Sequence, residues 1–78
     1  MARVVVVERE RYLRDILSAW LARSGHDVVA VASVETATQA LEQGGVDVLI
    51  ADGHQSALDE VRWVQAAVEN DPLLHVAF

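Results

Sequence analysis

Short apolar runs alternate with longer amphipathic segments along the 78-residue chain. Residues 4–7 are four consecutive valines, a pattern typical of a strand that is buried on both faces of a parallel sheet. Similar short runs at residues 28–32, 46–51 and 73–78 predict three further strands. In the predicted strand at residues 73–78, His75 alternates with apolar neighbours and is expected to pack in the core.

The segments between the runs have the spacing of helices. Between residues 10 and 24, apolar side chains recur three and four positions apart and form one stripe, which consists of Leu13, Ile16, Leu17, Trp20 and Leu21. Gly25 follows as the left-handed residue that ends a helix. Ser33 is expected to cap the next helix, whose narrow apolar face is Val34, Ala37, Ala40 and Leu41 and which ends at Gly44.

A third helix is predicted over residues 57–69, with a buried line of Leu58, Val61, Val64 and Val68. Pro72 ends this pattern because proline does not continue a helix. Trp63 lies off the buried line, and we expect it to contact a further part of the fold or a partner.

The resulting order, βαβαβαβ, predicts an α/β fold of three layers with a parallel sheet and right-handed crossovers. In such sheets, ligands bind at the carboxyl ends of the strands. Glu8 and Glu10 follow the first strand, and Asp52 follows the third. Because these ends converge in an open sheet, the acidic residues are expected to share one crevice. Carboxylates there can hold a divalent cation such as Mg²⁺, or one can accept a phosphoryl group.

Composition narrows the classes of function. The net charge is −6, and all six basic residues are arginine, so a nucleic-acid-binding surface is not expected. There is no cysteine, and no apolar run approaches the length of a membrane span, so we expect a cytoplasmic location. The hydrophobic share, 53%, is high for 78 residues, which predicts a partner or a larger fold.

Two segments resemble one family. The valine run followed by Glu8, Arg9 and Glu10, and the segment from Asp47 to Asp52, are similar to the first and third strands of response-regulator receiver domains. The 44 positions between Glu8 and Asp52 match the spacing of that family, and residues 24–29 match its approach to the second helix. The resemblance spans the whole chain and implies a CheY-like, flavodoxin-like strand order of 2-1-3-4.

The resemblance implies a role in two-component signalling rather than an enzyme. Asp52 would accept a phosphoryl group from a sensor histidine kinase or a phosphotransfer protein. Mg²⁺ would be held by Glu8, Asp52 and the backbone carbonyl of His54, with Glu10 as a substitute for the second acidic position of the family.

Two departures from the family predict impaired phosphotransfer. Arg9 stands where the family has its second acidic residue, and it brings a positive charge to the metal site. An ion pair between Arg9 and Asp52, which would mimic the metal-bound state, is an alternative. The chain is also expected to be one receiver-like domain, over residues 1–78, that is truncated before the fifth strand and lacks the fourth and fifth helices, with no lysine to contact the phosphoryl group.

The sequence therefore leaves two hypotheses about function open. The first is a receiver that is phosphorylated on Asp52. The second is a phosphorylation-independent pseudo-receiver that acts as a dimerising interaction module. The predicted homodimer pairs either the sheet edge that begins at Leu73 and ends at Phe78, or the first helix across a two-fold axis. In the simplest alternative, Asp52 only begins a turn and the acidic residues at positions 8 and 10 only favour a helix N-terminus.

Overall fold

A computed structural model describes residues 2–51, 57–71 and 73–77. Strands and helices alternate in the predicted order, and their bounds are β1 (Arg3–Val7), α1 (Arg11–Arg23), β2 (Asp27–Val31), α2 (Val34–Glu42), β3 (Val48–Ala51), α3 (Ala57–Asn70) and β4 (His75–Ala77). None of the helices that the structure describes is long and apolar enough to cross a membrane.

The four strands form one parallel sheet in the order β2-β1-β3-β4, which confirms the predicted fold class and strand order. β1 lies between β2 and β3, and Val4 pairs with Val28 on one side and with Val48 on the other. All four valines of β1 are at most 4% exposed. The run is therefore buried on both faces, as its composition predicts.

The crossovers place the helices on opposite faces of the sheet. The connection through α1 moves from β1 to β2, whereas those through α2 and α3 lead in the opposite direction across the sheet. Because parallel crossovers are right-handed, α1 covers one face and α2 and α3 cover the other. The second face holds the main core cluster, which consists of Val5, Val7, Val31, Ala37, Val46, Leu49 and Leu74.

Two predicted helix ends are confirmed. At the end of α1, the His26 N–H donates to the Leu21 carbonyl and the Gly25 N–H donates to the Ala22 carbonyl, and Gly25 has a φ of 89°. This is the Schellman motif, which requires a left-handed residue at the position of Gly25. At the start of α2, the Ser33 hydroxyl accepts a hydrogen bond from the Thr36 N–H at 3.3 Å.

Side-chain hydrogen bonds, as well as the backbone ladder of the sheet, join the amino-terminal ends of the strands. The Asp47 carboxylate accepts the Arg3 N–H at 2.8 Å, and the Asp47 N–H donates to the Arg3 carbonyl at 2.8 Å. His26 accepts the Ala2 N–H through Nδ1 at 3.1 Å. These bonds fix the start of β1 between its two neighbours. The first ladder bond beside β3 thus comes from Asp47, although the strand itself begins at Val48 instead of the predicted residue 46.

The predicted fourth strand is shorter than its apolar run. Leu73 lies in a turn and is 86% exposed, whereas Leu74 is 7% exposed and belongs to the core. The Leu74 N–H donates to the Asp71 carbonyl, so this turn takes up the first residues of the run before β4 begins at His75. His75 is exposed, and the expectation that it packs in the core is wrong.

Trp63 makes contacts within the chain. Its indole Nε1–H donates to the Thr38 hydroxyl at 2.9 Å, and its ring packs against the core cluster. The described residues thus supply neighbours for Trp63, and the expected contact with a further part of the fold or a partner stays a prediction. The predicted buried line of α3 is confirmed at Val64, which is 8% exposed, and Val68 is half-buried.

The stripe on α1 is less buried than its spacing predicts. No residue of α1 is buried. Leu17 and Leu21 are half-buried, while Leu13, Ile16 and Trp20 are 45%, 36% and 70% exposed. The helix thus contacts the sheet with one margin of its apolar stripe and leaves the other margin exposed.

Candidate functional site

The two central strands end side by side at the carboxyl edge of the sheet. Val7 pairs with Ala51, and the next residues along the chain are Glu8 and Asp52. The register therefore explains how residues 44 positions apart follow adjacent strand ends. Asp52 and His54 lie outside the described residues, so the phosphoacceptor and the carbonyl ligand remain predictions.

Glu8 is held by bonds to its own turn and to β2. Its N–H donates to the Val31 carbonyl at 3.0 Å, which extends the ladder one residue beyond β1. Its carboxylate accepts the Glu10 N–H at 3.1 Å through Oε1. The side chain is half-buried and closes the turn between β1 and α1. Glu8 is thus in place at the strand end where the sequence predicts a metal ligand.

Arg9 and Glu10 are both exposed. Glu10 is the N-cap residue of α1, but its side chain makes no capping hydrogen bond; its carbonyl accepts the Arg14 N–H at 2.9 Å. Within the described part of the chain, neither residue forms an ion pair. The predicted pair between Arg9 and Asp52 involves a residue outside that part and stays a prediction.

Arg14 is a residue of this site that the sequence reasoning missed. From the first turn of α1, its Nη1 donates to the Glu8 carbonyl at 3.0 Å and to the Arg9 carbonyl at 3.4 Å. The guanidinium therefore ties the helix to the loop that carries Glu8. The available signal was its position: a long cationic side chain in the first turn of a helix reaches the carbonyls of the preceding loop.

The β1–α1 turn and the Arg14 side chain bonded to it contribute two carboxylates and two guanidiniums, from Glu8, Glu10, Arg9 and Arg14. The carboxylate oxygens suit a hard divalent cation, whereas the two arginines oppose a cation and favour an anion such as a phosphoryl group. In residues 2–51, 57–71 and 73–77 no group of three or more acidic, histidine or cysteine side chains is placed to hold a metal ion.

No protein-family model matches the chain. A comparison with curated proteins finds 38% identity over 58 residues to the response regulator protein FleR of Pseudomonas aeruginosa. The matched region is 74% of this chain and 12% of that protein, so the chain spans a small part of its curated relative. This similarity supports a receiver-like domain, in agreement with the strand order and with the resemblance at residues 4–10 and 47–52.

Proposed function

We propose that the chain is a receiver module of two-component signalling in which Asp52 accepts a phosphoryl group. The donor would be a sensor histidine kinase or a phosphotransfer protein, in the cytoplasm. The observation that carries the proposal is the similarity to a response regulator over 58 residues. The β1–β3 register supports it, because Asp52 follows the strand beside the one that leads to Glu8.

In the proposed reaction, a carboxylate oxygen of Asp52 attacks the phosphorus of a phosphohistidine. The P–N bond breaks as the new P–O bond forms, and the imidazole takes up a proton as the acyl phosphate remains on the receiver. Mg²⁺ would neutralise phosphoryl oxygens in this transfer. Its ligands would be Glu8, Asp52 and the His54 carbonyl, and Glu10 would substitute for the second acidic residue of the family. Arg14 positions the loop that carries Glu8.

Phosphorylation is tested by incubating the chain with acetyl phosphate and Mg²⁺ and then measuring the intact mass. Because Arg9 is expected to impair the transfer, we expect a partial adduct of one phosphoryl group, and we expect it to be lost in Asp52→Ala. Asp15→Ala is the matched control, because Asp15 is an exposed carboxylate of α1 away from the strand ends. An adduct that persists in Asp52→Ala, or one lost equally in Asp15→Ala, would contradict the assignment of the acceptor.

The effect of Arg9 is tested in the same assay. Arg9→Asp replaces a positive charge with a negative one beside the proposed cation, and a charge effect of ~1–2 kcal/mol corresponds to about a tenfold gain in Mg²⁺ affinity. We expect the Mg²⁺ concentration for half-maximal phosphorylation to fall by about that factor. An unchanged Mg²⁺ dependence would show that Arg9 does not oppose the cation.

A second candidate function is a phosphorylation-independent interaction module. The exposed side of α1 favours it, because Leu13, Ile16 and Trp20 are 45%, 36% and 70% exposed. In this case the chain gives no phosphoryl adduct but self-associates, through α1 or through the edge strand β4. The mass measurement and the oligomeric state together distinguish the two functions.

A further inference from the structure

One residue of α1 binds the backbone of the turn that precedes the helix. Three successive carbonyls of this turn, those of Glu8, Arg9 and Glu10, accept hydrogen bonds from Arg14. Its Nη1 donates to the Glu8 carbonyl at 3.0 Å and to the Arg9 carbonyl at 3.4 Å, and its backbone N–H donates to the Glu10 carbonyl at 2.9 Å. A single residue thus holds the carbonyl side of the β1–α1 turn.

The N–H groups of the same turn fix Glu8 from the other side. The Glu8 N–H donates to the Val31 carbonyl at 3.0 Å, and the Glu8 carboxylate accepts the Glu10 N–H through Oε1 at 3.1 Å. Glu8 is therefore held at its N–H, at its carbonyl and at its carboxylate. Because a carboxylate has about four lone-pair sites, the bond from Glu10 leaves Glu8 able to bind a cation as well.

The start of α1 depends on Arg14 more than the start of a well-packed helix would. No residue of α1 is buried, and Glu10 makes no capping bond with its side chain. Arg14 is half-buried, whereas Arg11 in the same turn of the helix is exposed and lies 4.0 Å from Asp15. In the described part of the chain, Arg14 donates to the carbonyls of the β1–α1 turn and Arg11 does not. The two arginines thus carry the same charge but differ in what they hold.

The charge of Arg14 and its hydrogen bonds act on a bound cation in opposite directions. A half-exposed guanidinium near the turn repels Mg²⁺, which is worth roughly a few-fold in affinity. A group that orients a metal ligand raises the affinity by about 10–100-fold. We propose that Arg14 is a positioning residue: its bonds to the turn keep the Glu8 carboxylate in the geometry that binds Mg²⁺, and this effect exceeds the repulsion. The inference rests on the proposed function, in which Glu8 is a Mg²⁺ ligand.

The test is an NMR titration of the 78-residue chain with magnesium chloride, in which the amide signals of Glu8 and Glu10 report binding. We expect Arg14→Met to weaken Mg²⁺ binding about tenfold, although it removes a repelling charge. Arg11→Met is the matched control, because it removes the same charge from the same turn of α1; its binding is expected to be unchanged or up to about twofold tighter. Arg14→Lys retains the charge and a donor, and it is expected to recover part of the lost affinity.

Hydrogen exchange without Mg²⁺ separates positioning from a general loss of stability. In Arg14→Met, exchange at the Glu10 N–H is expected to quicken about tenfold. Exchange at the Asp27 N–H, which donates to the Ala2 carbonyl at the amino-terminal edge of the sheet, is expected to stay unchanged. Equal acceleration at the two sites would mean that Arg14 only stabilises the fold, and would overturn the proposal.

The titration also separates this inference from the proposed function. If the wild-type chain does not respond to Mg²⁺, the proposed cation fails and the role of Arg14 fails with it. If the wild-type chain responds and Arg14→Met binds Mg²⁺ as tightly as Arg11→Met, the inference alone is overturned, because Arg14 then acts through its charge.

Discussion

The helices on the two faces of the sheet are buried to different depths. On the face of α2 and α3, side chains from both helices pack against a cluster that includes Leu49 and Ala37, both fully buried. On the other face, α1 has no buried residue. Yet α1 is longer than α2, and its apolar residues also form one stripe. Periodicity therefore predicts that a helix forms and which side is apolar, whereas the depth of its burial depends on what packs beside it.

Truncation of a side chain is expected to give the largest difference in free energy of unfolding between the two faces. Leu49→Ala removes a fully buried side chain, and we expect the free energy of unfolding to fall by about 2–5 kcal/mol. Leu13→Ala on α1 is the control; since Leu13 is 45% exposed, its loss is expected to stay below about 1 kcal/mol. Urea unfolding followed by circular dichroism measures both. Similar losses would mean that the two faces are equally well packed.

Loss of the hydrogen bond between Trp63 and Thr38 is expected to have an intermediate effect on stability. The Thr38 hydroxyl also donates to the Val34 carbonyl at 2.8 Å, so it links α3 to the backbone of α2. Thr38→Val leaves the half-buried indole N–H without this partner, and the expected loss is about 1–2 kcal/mol. Trp63→Phe removes the donor instead. In a double-mutant cycle, the two changes are expected to couple by about 1 kcal/mol; additive losses would mean that the bond contributes nothing to stability.

The smallest expected effects on stability are those of substitutions at the N-caps of α1 and α2. Ser33 caps α2 with its side chain, and Ser33→Ala is expected to lower stability by about 1 kcal/mol. Glu10 makes no such bond at the start of α1, so Glu10→Ala is expected to change stability by less than about 0.5 kcal/mol. Thermal unfolding of the two variants in parallel measures the difference. A larger loss from Glu10→Ala would reverse this part of the comparison.

Much of the fold follows from local signals in the sequence. The valine run identifies the central strand because only a strand covered on both faces is apolar at every position. Gly25 and Ser33 mark helix ends because their backbone and side chain satisfy groups that the helix leaves without partners. The right-handed crossover rule then fixes which helices share a face. These signals come from residues close together in the sequence. The ends of helices and strands that they predict are confirmed to within two residues in most cases.

Long-range packing is where prediction from sequence fails. Trp63 is off the buried line of its own helix, yet it packs against the core cluster and bonds to Thr38, 25 positions earlier. Leu73 and Leu74 are adjacent and identical in type, but a turn exposes the first and buries the second. At the candidate site, the sequence identifies Glu8, whereas the bond from Arg14 depends on how α1 is placed after the turn.

The pairing of β1 has a consequence for the order of folding. Its contact with β2 joins residues 24 positions apart, and its contact with β3 joins residues 44 positions apart. Loop-closure entropy favours the shorter pairing first, so the valine run keeps one unpaired side until residues 48–51 arrive. During that interval, a strand rich in β-branched residues is available to other chains. We therefore expect intermolecular pairing to compete with β3, so that higher protein concentration lowers the yield of refolding.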